Sequence, residues 1–499
     1  MILTHSDMMV LLPLIIVAAS AVAVMLAAAF YRRSQLVMVL TLLGLIISFA
    51  ALLLAASFGP RQVTPLLIVD NYALFYMGLI FAATFVVTVL CYRYFGGRES
   101  HHEALYILLL LAALGGAVLV SSSHFASLLL GLELLSVSLF ALIAYPRSAE
   151  RPLEAGIKYL ILAGFSSAFL LFGMALIYAQ LGTMQFAQIG AMPAIFERGL
   201  GAYGLAGLAL ILVGAGFKLA LVPFHMWTPD VYEGAPAPIS AFIATVSKGA
   251  MLAMLLRYFV TADAHQSQSV VMALSLIAIV TILAGNLLAL RQDNIKRILA
   301  YSSIAQLGYL LVGFLAFGAM AVEAVAYYLA AYFITMLGAF GVVTVLSRGT
   351  PERDSDTLAD YAGLFWRRPW LAGVFTAMLL SLAGIPLTMG FIGKFYVLAA
   401  AVGASLWLLV IVLAVGSAIG LFYYLRIIAA MCVHEPKATH GQEAMLAGSA
   451  SLAESVTLAA LTLLLIGLGI YPALLIQVLE TTVVHLAGVP KLLALAGSL

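Results

Sequence analysis

FKLALVPFHMWTPDVYEGAP, running from Phe217 to Pro236, is the stretch that decides how this chain folds. Its second residue, Lys218, sits at the end of a run that is otherwise apolar back to Gly201, and Pro223 follows five residues later. A charge and then a helix breaker stand where the surrounding sequence calls for hydrocarbon on every side.

Outward from that stretch the whole chain is apolar. Of its 499 residues, 65% are hydrophobic and only 9% are charged, against about a quarter charged in an ordinary soluble domain. So few charges cannot enclose so apolar a core in water, and the solvent that fits is a bilayer. The net charge of +2 points to neither nucleic acid nor an acidic partner. The two cysteines, Cys91 and Cys432, lie far apart and form no CxxC pattern, so no disulfide framework, zinc site or iron–sulfur site is readable. The start, MILTHSDMMVLLPLIIVAAS, has no Lys or Arg ahead of its apolar run. It lacks the basic opening of a secretory signal and is long enough to span, so it reads as a retained first helix.

A transmembrane helix needs about 20 mainly apolar residues. Fourteen such runs are present, at approximately 9–31, 35–57, 71–93, 104–121, 125–145, 155–180, 202–228, 238–260, 269–290, 298–318, 323–347, 369–400, 405–431 and 454–480. They are continuous and not alternating, which selects helices over a barrel. The reading is an all-α polytopic membrane protein. Loops after odd-numbered helices hold fifteen Lys and Arg, among them Arg32, Arg33, Arg93, Arg98, Arg147, Lys296 and Lys437, while the other side holds four, Arg61, Arg198, Arg257 and Lys491. The positive-inside rule then places the odd loops in the cytoplasm and both termini on the periplasmic side of a bacterial-type inner membrane. No soluble domain is expected, and the charged stretch 348–368 reads as a connector lying along the membrane surface.

Four lysines remain, Lys158, Lys218, Lys248 and Lys394, and all fall inside expected helices. A charge at the bilayer centre costs about 2.5–3.5 kcal/mol on insertion scales, so each needs a compensating reason. Lys248 stands mid-run in AFIATVSKGAMLAMLL, too deep to reach the surface. Lys218 precedes the break at Pro223, and Lys394 follows an interruption at Gly384 and Pro386. Glu133 is the one acid in the middle of a span and the natural partner of Lys218, since opposite charges favour each other's ionised form. One reading is static: lysines buried for structure, each paired with a carboxylate or a freed carbonyl. The other is dynamic. Desolvation moves a lysine toward releasing its proton, whereas arginine stays charged, and broken helices free backbone groups that water and polar side chains must satisfy. Lysines and water together make a proton path.

Secondary candidates follow. Lys158, near the end of helix six, is either an interfacial anchor or an intake relay. His225 either bridges Lys218 and Lys248 or caps the break in helix seven. Ser302, Ser303 and Gln306 either hold water or serve helix packing. GLGAYG at 199–204 matches a dinucleotide pattern but lacks a preceding strand, so it carries no site. Gly416 and Gly420 form a GxxxG that reads as close packing. No metal cluster or cofactor motif is present in the sequence.

PFHMWTPDVYEGAPAPISAFIATVSKGA at 223–250, RILAYSSIAQLGY and GIPLTMGFIGKFYVL resemble the signatures of the N-type membrane subunit family of proton-translocating NADH:quinone oxidoreductase, within the wider Mrp antiporter-like group. The resemblance covers essentially the whole chain. It implies two inverted five-helix repeats with broken helices 7 and 12. The corresponding divisions are 1–103 for helices one to three, 104–260 and 261–431 for the repeats, and 432–499 for a loop and helix fourteen. It also implies that Glu133, Lys218, Lys248 and Lys394 form a proton-transfer relay. NADH, FMN, iron–sulfur clusters and quinone would be handled by partner subunits, and neighbouring antiporter-like subunits would flank this one in the bilayer. The alternatives are an Mrp-type cation/proton antiporter subunit, the membrane subunit of an energy-converting hydrogenase, or a spacer that moves no protons.

Overall fold

In hydrocarbon every backbone N–H and C=O must be satisfied within its own segment, and the helix is the element that does so locally. The computed structural model describes residues 4–99, 101–146, 149–191, 201–262, 267–349, 353–433 and 450–486. Arg147, Arg198, Lys437 and Lys491, counted above in the loops, lie outside the described residues. Among the described residues thirteen helices are long and apolar enough to cross a membrane. They are α1 (His5–Tyr31), α2 (Ser34–Ala56), α3 (Asn71–Gly96), α4 (Glu103–Val120), α5 (Phe125–Ile143), α6 (Glu150–Leu181), α7a (Ala202–Leu219), α8 (Ala237–Thr261), α9 (Gln268–Ala289), α10 (Ile295–Leu315), α11 (Ala319–Leu346), α13 (Trp407–Cys432) and α14 (Leu452–Ile470). The remaining expected span is split into α12a (Pro369–Ala383) and α12b (Met389–Gly403). A short antiparallel pair, β1 (Arg61–Thr64) with β2 (Leu67–Val69), joins α2 to α3.

Three boundaries differ from the sequence reading. Helix seven was expected to run to about residue 228. It stops at Leu219, because Ala220 adopts the left-handed conformation at φ 58°, and it resumes as α7b (Trp227–Gly234). The last span was expected as one helix to 480. It ends at Ile470, where Pro472 has no N–H to continue the ladder, and a further helix, α15 (Ala473–Leu486), follows. The connector after α11 does not simply lie on the surface. Asp354, Ser355 and Asp356 are buried.

Helices α8, α10 and α11 form the centre, enclosed almost entirely by the others. Backbones come close where glycines face each other. A Cβ on Gly115 of α4 would lie 2.5 Å from the Leu135 nitrogen and 2.8 Å from the Gly131 oxygen of α5. Gly416 and Gly420 of α13 pack against Asn286 of α9, the close approach their spacing implied. The pairing order repeats along the chain. Helix α4 packs on α5 and α6 on α7a, and five helices later α9 packs on α10 and α11 on α12b.

Apart from Glu133, Lys218, Lys248 and Lys394, charged residues gather toward the two ends of the bundle. At one end, the loops after α3, α9 and α11 meet. Asp354 accepts from Lys296 Nζ at 2.7 Å, Tyr94 OH at 2.7 Å and Arg98 Nη1 at 3.0 Å. Lys296, counted as a loop residue, is instead 1% exposed in the first turn of α10, and its need for a counter-ion draws the connector inward. The gathering of these loops at one end is what the alternation of spans requires. At the opposite end Arg257, also expected in a loop, is buried in α8. Its guanidinium makes two 2.7 Å bonds to the Asp70 carboxylate, and its Nε donates to Val120 O at 3.2 Å. Asp70 also caps α3 by accepting from Ala73 N at 2.8 Å.

Two predictions follow from these ion pairs. Arg257→Leu strands a buried carboxylate and should cost about 3–5 kcal/mol, read as a lower denaturation midpoint in detergent. Asp354 titrates in the opposite sense from a simply buried acid. Burial would raise its pKa, but the Lys296 and Arg98 charges and the hydrogen bonds from Lys296 and Tyr94 outweigh that and hold it at about 2. Because its folded pKa lies below the usual value of about 3.9, its stabilisation is complete above about pH 4 and is lost as pH falls toward 2. Hydrogen exchange in residues 353–361 should accelerate over that window, and Asp354→Asn should show the fast exchange already at pH 7.

Candidate functional site

The interior lysines sit where helices are interrupted. Helix α7a ends one residue beyond Lys218, so its ammonium belongs to a helix C-terminus, where the macrodipole favours a cation. Lys248 follows directly on a π-helical turn, Ile243–Ser247, inside α8. Such turns insert an extra residue and re-aim the side chains beyond them. Lys394 on α12b reaches back to the end of α12a. Its Nζ donates to Leu382 O at 2.7 Å and Ala383 O at 3.1 Å. Gly384, at φ 85°, terminates α12a beside it, and a Cβ there would lie 2.9 Å from Lys394 Cδ.

Among the described residues, none of these three ammonium groups forms an ion pair. Lys218 Nζ donates to Ser136 Oγ at 2.7 Å and lies 5.3 Å from the Tyr159 ring centre. Lys248 Nζ donates to Ser303 Oγ at 2.7 Å and lies 5.1 Å from the Tyr232 ring and 5.9 Å from the Trp227 ring. Lys394 Nζ lies 5.0 Å from the Tyr309 ring. Lys218, Lys248 and Lys394 are 2%, 0% and 6% exposed, respectively.

Glu133 lies near enough to Lys218 to act on its charge, as its partner role requires, but makes no direct contact with it. It lies one helical turn from Ser136 on α5, but its carboxylate accepts from Ser167 Oγ of α6. The serine, not the glutamate, is what Lys218 touches. Lys158 is half-exposed and bridges Glu154 at 2.8 Å and Asp230 at 3.1 Å. Arg297 joins the same cluster through Asp230 at 2.9 Å and Glu233 at 2.8 Å. His225 is 7% exposed, and among the described residues neither ring nitrogen meets a hydrogen-bonding partner. It forms no hydrogen bond with either lysine, and its carbonyl accepts from Thr228 N at 3.0 Å, in the turn that opens α7b. Pro223 lies in the break of helix seven, held to α9 by the Val222 N–Thr281 Oγ1 bond of 3.0 Å. Pro386 lies between α12a and α12b, ahead of Thr388, whose side chain caps α12b.

Two residues one turn apart on α10 stand between Lys248 and Lys394, each beside one of them. Ser303 takes the Lys248 bond and stands 2.6 Å from Tyr332 OH. Gln306 donates to Leu382 O at 3.0 Å, the same carbonyl that holds Lys394. Tyr328 and Tyr424 complete the surroundings of Gln306. Lys218 and Lys248 are separated by two rings. Tyr159, beside Lys218, and Trp227, beside Lys248, have centroids 5.0 Å apart. The Tyr159 hydroxyl is buried, with Ser247 near it and no hydrogen bond of normal geometry among the described residues. The sequence reading missed Ser136, Tyr159, Trp227, Tyr232 and Tyr332. Trp227 and Tyr232 lie inside the decisive stretch itself, but aromatic residues there read equally as packing. Among the described residues no group of three or more His, Cys, Asp or Glu is placed to hold a metal ion.

Comparison with known proteins came out as follows. The family model described as NADH:quinone oxidoreductase/Mrp antiporter, TM, matches residues 122–420. The chain is 72% identical over 488 residues to the NADH-quinone oxidoreductase subunit N of Nitrosospira multiformis, covering 95% of this chain and 96% of that one. It is similar to a chain of respiratory complex I from Thermus thermophilus with bound aureothin, with a TM-score of 0.80, 32% identity, and coverage of 94% and 99%. A chain of the Mrp complex from Dietzia shares the fold, with a TM-score of 0.85 at 21% identity over 97% and 98%.

Proposed function

The chain belongs to the NADH:quinone oxidoreductase/Mrp antiporter membrane family, in its NADH-quinone oxidoreductase subunit N branch, and from that premise we propose that it is the proton-translocating part of a membrane arm whose redox chemistry lies in other subunits. It carries no redox group of its own in this reading. NADH, FMN, iron–sulfur clusters and quinone belong to partner subunits, and neighbouring antiporter-like subunits flank it in a bacterial inner membrane. The arginine-rich face is cytoplasmic and both termini are periplasmic. Residues 104–260 and 261–431 are the two inverted repeats, which the offset of five helices between the α4–α5 and α9–α10 pairings supports.

The observation that carries the proposal is the choice of partners for three buried lysines. Each is held by a hydroxyl or by carbonyls, never by a carboxylate among the described residues. A carboxylate at contact distance would pin a lysine in its charged form. A serine hydroxyl accepts from an ammonium and donates to an amine, so the contact survives loss of the proton. The surroundings therefore tolerate both protonation states, as a relay requires.

The sequence of events in this proposal runs along the row. A change in conformation or charge reaching Glu133, three residues from Ser136, alters how well Lys218 holds its proton. The proton passes the Tyr159–Trp227 gap, where the buried Tyr159 hydroxyl is the polar step, to Lys248. Ser303, Tyr332 and Gln306 connect Lys248 to the break of helix twelve, where Lys394 receives the proton or gates its release. Moving one charge against 100 mV costs about 2.3 kcal/mol. Lys158 and the Asp230–Arg297–Glu233 cluster lie at the cytoplasmic end, as the intake side. His225 is a polar group of the helix-seven break and has no relay step.

Lys218→Ala in the assembled complex tests this reading. In sealed vesicles, with assembly checked on native gels, both quinone reduction and proton uptake per electron should fall steeply, about a hundredfold or more for loss of a positioned acid–base group. Unchanged rates in a fully assembled complex would make the charge structural.

A further inference from the structure

A crevice of about 510 Å³ opens on the outer surface of the helix bundle between α2, α3, α11 and α14. Its floor reaches Phe81, Phe333 and Leu337, which are buried elsewhere on their surfaces, and its lips are the exposed Phe49, Val456 and Leu464. The polar side chain in the lining, Thr457, already donates its hydroxyl to Ala453 O at 2.8 Å. Water entering would find no partner. The volume falls within the range of about 300–1,000 Å³ that holds a small molecule and is far too small for a helix about 10–12 Å across.

The charge above the crevice identifies the occupant. Val86 lines it, and Arg93 stands seven residues further along α3, on the same face and about 10 Å nearer the arginine-rich end. Arg93 is exposed and has no hydrogen bond or ion pair among the described residues. Arg33, also exposed, stands at the start of the adjoining α2. An apolar slot with a free guanidinium one to two helical turns above it, at the membrane surface, matches an amphiphile whose anionic head is followed by a hydrocarbon tail.

We propose that this crevice binds one acyl chain of an anionic phospholipid from the leaflet at the arginine-rich face, with its phosphate on Arg93. The tail supplies dispersion contacts that the crevice walls otherwise lack, and guanidinium and phosphate form charge-assisted hydrogen bonds. The site also adjoins the lysine row. The Phe333 ring fills the space left by Gly249, next to Lys248, where a Cβ would collide with it, and Phe333 follows Tyr332, the hydroxyl beside Ser303. A bound tail therefore braces the ring that backs Lys248.

The test uses the assembled complex in nanodiscs with phosphatidylglycerol bearing a photoactivatable group at the end of one acyl chain, followed by peptide mapping. Labels should appear on crevice residues of α2 and α14, and unlabelled phosphatidylglycerol should compete better than phosphatidylcholine. Ala460→Trp, or Ala82→Phe if the first variant fails to assemble, should fill the slot and remove the label. Arg93→Gln should weaken phosphatidylglycerol competition about fivefold while leaving the label position unchanged. Labelling indifferent to the filling variants would mean annular lipid only. Equal competition by phosphatidylcholine would remove the role of Arg93. Absence of labelling in the assembled complex would show a neighbouring subunit covering the crevice. Each of these results overturns the proposal.

Discussion

An ammonium buried in a membrane protein must have acceptors, and this chain supplies them without a single contacting carboxylate, among the described residues, at Lys218, Lys248 or Lys394. The architecture follows from that constraint. Acceptors not already used in a helix ladder exist only at helix ends or on side chains. Lys394 takes the end of α12a, through Leu382 O and Ala383 O. Lys218 takes Ser136 from the end of α7a, and Lys248 takes Ser303 beyond a π-helical turn. Every interruption of regular helix in the centre of the molecule lies beside one of these lysines. Elsewhere, charges are treated in the opposite way. Arg257 with Asp70, and Lys296 with Asp354, are locked pairs near the two ends of the bundle. The molecule thus separates charges held by carboxylates from charges held by hydroxyls and carbonyls.

Much of this was legible in the sequence, for reasons that are easily stated. Lysine in a run of apolar residues is conspicuous because its insertion cost is high, so Lys218, Lys248 and Lys394 identified themselves. Pro223 and Pro386 marked the breaks because proline cannot complete the helix ladder. The excess of Lys and Arg in alternate loops fixed which loops share a face, and the meeting of Arg98, Lys296 and Asp354 at one end agrees with it.

The rest depended on distances between segments remote in sequence. Glu133 was the natural partner for Lys218 by charge, yet a turn of helix separates it from Ser136, which makes the contact. Hydropathy cannot distinguish a residue at the end of a span from one in a loop, so Arg257 and Lys296 were counted outside the helices that bury them. The π-helical turn before Lys248 has no sequence signal, since IATVS would continue an α-helix equally well. Aromatic residues such as Tyr159 and Trp227 read as packing until both rings are seen between two lysines.

The central claim is that the lysines form one line and do not act as separate sites. Ser303→Ala, Gln306→Leu and the double variant test it, with proton uptake per electron and turnover measured in sealed vesicles of the assembled complex. A hydrogen bond to a charged group is worth about 1.5–3 kcal/mol, so each single variant should slow proton movement about tenfold or more. Steps in series on one path make the double variant little worse than the slower single one, because their delays add. Multiplication of the two losses in the double variant would mean independent contributions, and it would contradict a continuous connection from Lys248 to Lys394.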